Sequence, residues 1–303
     1  MPSSSTSVPS VETHLARLAR FAWSVLVYNV LVVVWGAYVR ASSSGAGCGS
    51  HWPTCNGEVI PRSPSGRTIV EFAHRTTSGL AVVSIVALLV LTIRATRAAH
   101  PARRAAWLSL LFVGLEAGIG AGLVLFEWVA GNKSLARGFV MGAHLINTFL
   151  LLGALVLTAY YLAGGAAIGP RLRRHAALVT TATLGVFLTG ASGGIAALGD
   201  TLFPTTSFAH GLAQDESTTS HVFLKLRVFH PIFAVATAAI LLYAARALRG
   251  RHAMSLAVLV FVQATVGLLN LFLAAPVPLQ LVHLALADAV WIAFVLTAAS
   301  QAP

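Results

Sequence analysis

Eight apolar stretches, each long enough to cross a lipid bilayer, constrain this chain more than any other feature. A transmembrane helix needs about 20 consecutive, mainly apolar residues. The stretches cover residues 19–40, 69–94, 105–127, 138–163, 176–198, 223–245, 253–274 and 277–299. Only 10% of the 303 residues are charged, whereas an ordinary soluble domain has about 25%. The sequence therefore predicts an all-α integral membrane protein with eight transmembrane helices. It excludes a soluble enzyme or a nucleic-acid-binding protein, despite a net charge of +11.

The distribution of basic residues predicts how the helices are oriented, because cytoplasmic loops carry an excess of Lys and Arg. Twelve of the twenty basic residues fall on one side: Arg17, Arg20, Arg94, Arg97, Arg103, Arg104, Arg171, Arg173, Arg174, Arg246, Arg249 and Arg251. We therefore expect both termini in the cytoplasm, with residues 1–18 as a disordered tail. The loops 41–68, 128–137, 199–222 and 275–277 are expected on the outer side.

An internal repeat relates the two halves of the chain. EFAHR at 71–75 aligns with RVFHP at 227–231, and AHLINTFLLL at 143–152 aligns with VHLALADAVW at 282–291. EAGIG at 116–120 aligns with QATVG at 263–267, and ASSSG at 41–45 aligns with GASGG at 190–194. Four helices per half with the same in–out sense indicate a parallel repeat. We expect two pseudo-symmetric four-helix bundles, residues 19–165 and 166–303.

The repeat pairs four histidines that lie at one depth in the predicted bundles. His74 aligns with His230 and His144 aligns with His283, each about 10 Å below the outer surface at a rise of about 1.5 Å per residue. Two histidines on facing helices can hold a haem by both axial positions. The chain has no CxxCH motif for covalent attachment, so we predict non-covalently bound haem. The alternative is that each histidine is a polar residue hydrogen-bonded between helices. Zinc or copper is less favoured, because no Cys, Asp or second His lies one turn away.

Four arginines cluster at the same outer rim as the histidines. They are Arg40, Arg75, Arg137 and Arg227. Guanidinium groups match carboxylates in geometry and charge, so these arginines are candidate contacts for haem propionates. The alternative for each is that its head group reaches out to lipid headgroups.

Acidic residues differ between the two halves. Glu71 lies one helical turn before His74, and its counterpart in the second half is Arg227. An acid there can move protons or stabilise positive charge, or it can form an ion pair with Arg75. Glu116 aligns with Gln263, which favours an interhelical hydrogen bond. Asp288 has no assigned role.

The two cysteines of the chain, Cys48 and Cys55, lie in one outer loop, GAGCGSHWPTCNGEVIP. Two cysteines at short spacing on an oxidising side favour a disulfide. Such a bond can be a structural staple, or it can exchange electrons with a partner thiol. The sequence leaves both roles open.

These motifs together resemble the haem A synthase family over residues 20–300. That family carries a loop similar to SGxxCPDWPxC, followed by an acid and a His-Arg pair; the present chain has SGAGCGSHWPTC and EFAHR. Ser50 and His51 replace the Pro-Asp of the family pattern, and the role of His51 is open. Many relatives have a second cysteine pair in the outer loop of the C-terminal half, which is missing at 199–222.

The resemblance implies an oxidoreductase that converts a ring methyl of haem O, through an alcohol and a hydrated aldehyde, to the formyl group of haem A for terminal oxidases. His74 and His144 would ligate the substrate haem O, His230 and His283 would ligate a haem b cofactor, and Glu71 would be the catalytic acid. The implied partners are haem O, a haem O synthase, an unidentified electron acceptor and the lipid bilayer of a bacterial cell membrane. No nucleic acid is expected.

Two other functions use the same residues. A di-haem cytochrome b that relays electrons, for instance from quinol, needs the four histidines and no substrate release. A haem-handling transporter would carry haem as cargo and would lack a tightly held haem b. The contrast between Glu71 and Arg227 favours the synthase, because a pure relay has no reason to break the symmetry there.

Overall fold

The computed structural model describes residues 11–167 and 169–301, and these residues are helical with no strand among them. Their eleven helices are α1 (Val11–Ala41), α2 (Gly66–Ala95), α3 (Pro101–Leu125), α4 (Leu135–Leu162), α5 (Pro170–Arg174), α6 (Ala176–Leu202), α7 (Phe208–Glu216), α8 (Val222–Arg227), α9 (Phe229–Leu248), α10 (Ala253–Phe272) and α11 (Val277–Ala299). The all-α prediction is confirmed.

All eight predicted membrane spans are confirmed as long apolar helices. The spans are Thr13–Ala41, Gly66–Ala95, Pro101–Leu125, Leu135–Leu162, Ala176–Leu202, Val222–Leu248, Ala253–Phe272 and Val277–Ala299. Three short helices add to them: α5 precedes the fifth span, α8 forms the start of the sixth, and α7 lies in the connection between these two spans. The sequence analysis did not predict α7.

The first helix begins earlier than expected. Residues 1–18 were expected to be disordered, but α1 already begins at Val11, so that prediction is wrong for residues 11–18. Residues 1–10 lie outside the described part of the chain. Leu18, Ala19 and Ala22 are buried at the spacing of one helical face, and this apolar stripe stabilises the first turns against the bundle.

The span that carries His230 is interrupted just before this residue. Helix α8 ends at Arg227 and α9 begins at Phe229, with Val228 between them. Pro231 follows, and a proline inside a helix removes one backbone hydrogen bond and kinks the helix. His230 therefore lies next to an interruption of the helix, whereas the aligned His74 lies within the continuous helix α2.

Helices that are close in the chain pack against one another, and we call α1–α4 and α6–α11 the two groups; that these groups form two pseudo-symmetric bundles stays a prediction. Helix α1 contacts α2 and α4, α2 contacts α3, and α3 contacts α4; similarly α6 contacts α9, α9 contacts α10, and α10 contacts α11. Between the groups, α4 packs against α6 and α11, and α1 packs against α11. The domain boundary between residues 165 and 166 stays a prediction.

An aromatic cluster fills the contact between the two groups. The Phe149 ring lies 6.4 Å from that of Phe187 and 5.9 Å from that of Trp291, measured between centroids. Trp291 Nε1 donates a 2.6 Å hydrogen bond to the Phe149 carbonyl, which satisfies the indole N–H inside the bundle. Gly190 packs so closely on this cluster that an added Cβ would overlap the Phe149 ring.

Arg40 joins the same two groups near the outer end of α1. Its Nη1 donates to the Ala197 carbonyl at 2.6 Å and to Thr201 Oγ1 at 2.5 Å, both on α6. Its Nη2 donates to Gln280 Oε1 on α11 at 2.9 Å. One guanidinium therefore ties three helices together through neutral acceptors.

Replacing Gly190 with Ala should destabilise the packing between the two groups. Phe149 is held between Phe187 and Trp291, so the ring cannot move aside, and overpacking of this kind costs about 1–3 kcal/mol. Gly114→Ala is the matched control, because nothing lies within 4 Å of a Cβ at that helical position. We expect denaturant titration in detergent to give a lower free energy of unfolding for Gly190→Ala only. Equal stability of the two variants would contradict the packing argument.

Candidate functional site

The four repeat-related histidines lie on four different helices. His74 is on α2, His144 on α4, His230 at the start of α9 and His283 on α11. The rings of His230 and His283 are 6.4 Å apart between centroids and nearly perpendicular, at 87°. Two metal–nitrogen bonds of about 2 Å each, plus the distance from each ring centre to its nitrogen, require a separation of about 6 Å. This pair therefore has the spacing that two axial ligands of one iron need.

The hydrogen bonds of His230 leave one ring nitrogen available. Its Nδ1 lies 3.1 Å from the Thr189 carbonyl and 3.3 Å from Ser192 Oγ. Because a carbonyl can only accept, Nδ1 carries the proton and Nε2 keeps its lone pair. A histidine that binds a metal commonly donates its other N–H to a carbonyl in this way. The ring thus fits a haem ligand, and neither Thr189 nor Ser192 was identified from the sequence.

Two further histidines have a buried nitrogen without a hydrogen-bond partner. Among the described residues, nothing bonds to Nδ1 of His74 or to Nδ1 of His283. Gln263 Nε2 lies 3.5 Å from His283 Nε2, too long for a strong hydrogen bond. Buried polar atoms usually have a partner, so these rings fit a site that is completed by a bound group.

Glycines on neighbouring helices make room for three of the rings. An added Cβ would lie 2.9 Å from His74 Cε1 at Gly36, 2.9 Å from His230 Cε1 at Gly193, and 3.0 Å from His283 Cε1 at Gly267. Gly36 on α1 and Gly193 on α6 therefore occupy equivalent places. The alignment of ASSSG at 41–45 with GASGG at 190–194 pairs residue 44 with residue 193. The contacts instead pair Gly36 with Gly193, so they favour a different register between α1 and α6.

His144 has a carboxylate beside it. Its Nδ1 lies 3.3 Å from Glu116 Oε1 on α3, an ionic contact that is not aligned as a hydrogen bond. Glu116 Oε1 accepts from Thr148 Oγ1 at 2.6 Å, and Glu116 Oε2 accepts from Asn147 Nδ2. The interhelical hydrogen bond predicted for Glu116 is therefore present, and it links α3 to α4.

Glu71 is almost fully buried, with 3% of its surface exposed. Its Oε2 accepts from the Cys48 backbone N–H at 2.8 Å. Its Oε1 accepts from Arg75 Nη2 at 2.5 Å and from Arg75 Nε at 3.1 Å. The Glu71–Arg75 ion pair, one of the two interpretations left open by the sequence, is present, and the same carboxylate also holds the outer loop.

A disulfide and an arginine organise this outer loop. Cys48 and Cys55 form the predicted disulfide. Arg75 Nη1 donates to the carbonyls of His51 at 2.6 Å and Thr54 at 2.7 Å. Arg75 thus uses its guanidinium on Glu71 and the loop; its predicted contact with a haem propionate stays a prediction.

Arg227, the counterpart of Glu71, also holds an outer segment. Its Nη1 lies 2.9 Å from Asp200 Oδ1, its Nε 2.7 Å from Asp215 Oδ1, and its Nη2 donates to the Gly211 carbonyl at 3.0 Å. Burial raises the pKa of Asp215, and the Arg227 guanidinium offsets part of that rise. Helix α7 is therefore fixed to the bundle by ion pairs. In the sequence, the signal for this network was the pair of acids, Asp200 and Asp215, that precede Arg227 in the chain.

The remaining rim arginines have neutral partners. Arg40 binds the acceptors on α6 and α11 given above, and Arg137 Nη1 donates to the carbonyls of Ala130 at 2.6 Å and Asn132 at 2.7 Å. Among the described residues, neither guanidinium has a carboxylate within ion-pair distance, and the buried Nε of Arg137 has no acceptor. These two side chains keep an uncompensated positive charge at the outer rim.

Asp288 is fully buried on α11, and among the described residues neither carboxyl oxygen has a hydrogen-bond partner. The geometry around the four histidines does not explain it.

Comparison with known proteins shows one family along almost the entire chain. Residues 19–295 match COX15-CtaA, described as a cytochrome oxidase assembly protein. A protein from Thermus thermophilus, named protoheme IX farnesyltransferase, is 47% identical over 297 residues, which cover 94% of this chain and 48% of that protein.

Two further relatives are named heme A synthase. The protein from Lysinibacillus sphaericus is 34% identical over 59% of this chain and 58% of its own length. The protein from an Exiguobacterium species is 34% identical over 58% of this chain and 57% of its own length. The chain thus spans about half the length of the curated relatives it matches.

Replacing Gly47 with Ala should detach the disulfide loop from α2. A Cβ at Gly47 would clash with the Arg67 carbonyl and lie 2.7 Å from Thr68 N, and backbone atoms cannot move aside. Overpacking of about 1–3 kcal/mol should raise the population of the open loop about 5- to 150-fold. We expect faster reduction of Cys48–Cys55 by an added thiol, measured by maleimide mass tagging. Gly66→Ala is the control, because nothing lies within 4 Å of its Cβ; the same reduction rate in both variants would contradict this docking geometry.

Proposed function

The chain belongs to the COX15-CtaA family of cytochrome oxidase assembly proteins, and we propose that it is a haem A synthase. The proposed reaction oxidises a ring methyl of haem O to a formyl group. With water as the source of the oxygen, the methyl group becomes a formyl group with release of four protons and four electrons, so the protein must hold the substrate, admit water, accept protons and pass the electrons to an acceptor. Relatives named heme A synthase support this assignment.

The observation that supports the proposal is the geometry of the His230–His283 pair. His230 and His283 have the spacing of two axial ligands, and His230 has its Nδ1 directed at a carbonyl. We propose that these two residues hold haem b, which supplies a one-electron redox centre when bound. His74 and His144 form the corresponding pair in the N-terminal half, and we propose that they hold the iron of haem O.

Glu71 lies one turn before His74, on the side of the proposed substrate. Its carboxylate is shielded from water, and two donors fix its orientation: the Cys48 N–H and the Arg75 guanidinium. A carboxylate in this position can take up a proton released from the reacting carbon. Because Arg75 holds both Glu71 and the outer loop, the same contacts fix the loop beside this side of the site.

Arg40 and Arg137 are the favoured propionate contacts of the four candidates. Arg75 and Arg227 are each neutralised by carboxylates in the protein, whereas Arg40 and Arg137 have only neutral acceptors. A propionate placed at either residue would provide the missing negative charge.

The proposed partners follow from the substrate. Haem O comes from farnesylation of haem b, and the Thermus thermophilus relative is named for that activity and is about twice as long as its aligned region. This supports a haem O synthase as a partner in the same cell membrane. The excess of arginine on one side supports cytoplasmic termini, and the electron acceptor is unassigned.

One observation favours the di-haem electron-transfer alternative. Glu71 and Arg227 both anchor an outer segment to the bundle, so their difference in charge is compatible with a mechanical role alone. The sequence argument that a relay has no reason to break symmetry there is therefore weaker.

Haem extraction distinguishes the two functions. The protein should be purified with and without a co-expressed source of haem O, and its haems analysed by mass. We expect haem A or its alcohol intermediate beside haem b when haem O is supplied. Replacing His230 or His283 should remove the haem b spectrum. Recovery of haem b only, at two per chain, would establish the relay instead.

Glu71→Gln should retain haem and lose haem A formation. The amide oxygen can still accept from the Cys48 N–H, but it cannot take up a proton at neutral pH, and loss of such a group costs about 100-fold or more in rate. The control is Glu58→Gln, which changes a more exposed acid of the same loop that pairs with Arg62. If Glu71→Gln forms haem A at the normal rate, Glu71 serves only to anchor the loop.

A further inference from the structure

We propose that Glu116 is a positioning residue that fixes the His144 ring with Nε2 facing the iron of the N-terminal site. Gln263, its counterpart, gives His283 no such anchor. This inference rests on the proposed function for the identity of the bound group. It explains a partly buried acid that the reaction itself does not use.

The Glu116 carboxylate is rigidly held. Thr148 and Asn147, which follow His144 by one helical turn, donate to its two oxygens. Asn147 Nδ2 also donates to the Phe112 carbonyl at 2.9 Å, so it is fixed on both helices. The carboxylate is thereby locked beside His144, with Oε1 3.3 Å from Nδ1.

A carboxylate at Nδ1 determines which nitrogen of the ring can bind iron. Nδ1–H can donate to Oε1, and Nε2 is then left as the free ligand nitrogen. The 3.3 Å contact is long, but hydrogen bonds of this kind tighten when the ligand is in place. A carboxylate partner also raises the basicity of the metal ligand, which stabilises oxidised iron.

The C-terminal half is built differently at the same repeat position. Gln263 is neutral, its amide nitrogen lies 3.5 Å from His283 Nε2, and Nδ1 of His283 has no partner among the described residues. The anchored ligand of that half is His230, which donates to the Thr189 carbonyl. Each half therefore has one histidine with an oxygen acceptor close to Nδ1, and only in the N-terminal half is that acceptor a carboxylate.

Redox titration tests this inference without measuring turnover. The full-length protein carries His230→Ala, so that ferric haem b, added as the probe, reports the N-terminal site alone. We expect Glu116→Gln to shift the midpoint potential upward and to change the low-spin electron paramagnetic resonance signal. Glu116→Asp should restore both in part. Thr148→Val removes one donor to Glu116 but keeps the charge and the Asn147 donor, so it should shift the potential less than Glu116→Gln does.

A reciprocal variant keeps the test valid if Glu116→Gln fails to fold. Gln263→Glu places a carboxylate beside His283 and should shift the midpoint potential of the C-terminal haem downward, read in a His74→Ala background. The inference is wrong if haem binds to Glu116→Gln with an unchanged potential, if Thr148→Val causes the same shift, or if Gln263→Glu has no effect. If the wild-type protein makes no haem A but the variants show these shifts in potential, the proposed function is refuted and this inference stands.

Discussion

Partly buried arginines at the outer ends of the helices need acceptors, and these contacts organise the outer side of the protein. A charged group inside a bundle is tolerated only when other groups compensate it. Arg75 binds Glu71 and two loop carbonyls, and Arg227 binds two aspartates and a carbonyl. Arg40 ties α1 to α6 and α11. The loops above the histidines and the contact between the two groups of helices therefore depend on guanidinium contacts.

These contacts change the meaning of the Glu71/Arg227 difference. Glu71 accepts from the backbone of the disulfide loop, and Arg227 donates to Asp215 on α7 and to Asp200 near the end of α6, in a region without cysteine. Ion pairs in the second half thus do the work that the disulfide does in the first. Anchoring of an outer segment is therefore enough to explain the different charges of Glu71 and Arg227. A chemical role of Glu71 is tested separately, by the Glu71→Gln variant.

Much of this architecture was predictable from sequence because hydrocarbon allows few solutions. Spans of sufficient length, the paired histidines and two cysteines in one loop are strong local signals, and the spans and the disulfide are confirmed. Helix α7 was missed because nine mixed residues in a loop have no span-length signal. The partners of His230 were missed because Thr189 and Ser192 lie about 40 residues away along the chain. The register that pairs Gly36 with Gly193 depends on a close approach of helices, which composition does not encode.

The difference between the two halves that matters for an oxidation is therefore in the polar groups beside the histidines and not in the loop anchors. A haem whose ligand hydrogen-bonds to a carboxylate has a stabilised oxidised state, and a neutral carbonyl has a smaller effect. In the proposed arrangement, with Glu116 beside His144 and the Thr189 carbonyl beside His230, the N-terminal site would have the lower potential. In the proposed arrangement electrons leaving the substrate are therefore favoured to move toward the His230–His283 pair. In the proposed arrangement, the Glu116 carboxylate therefore distinguishes the two histidine pairs of the repeat and sets the direction of electron transfer between them.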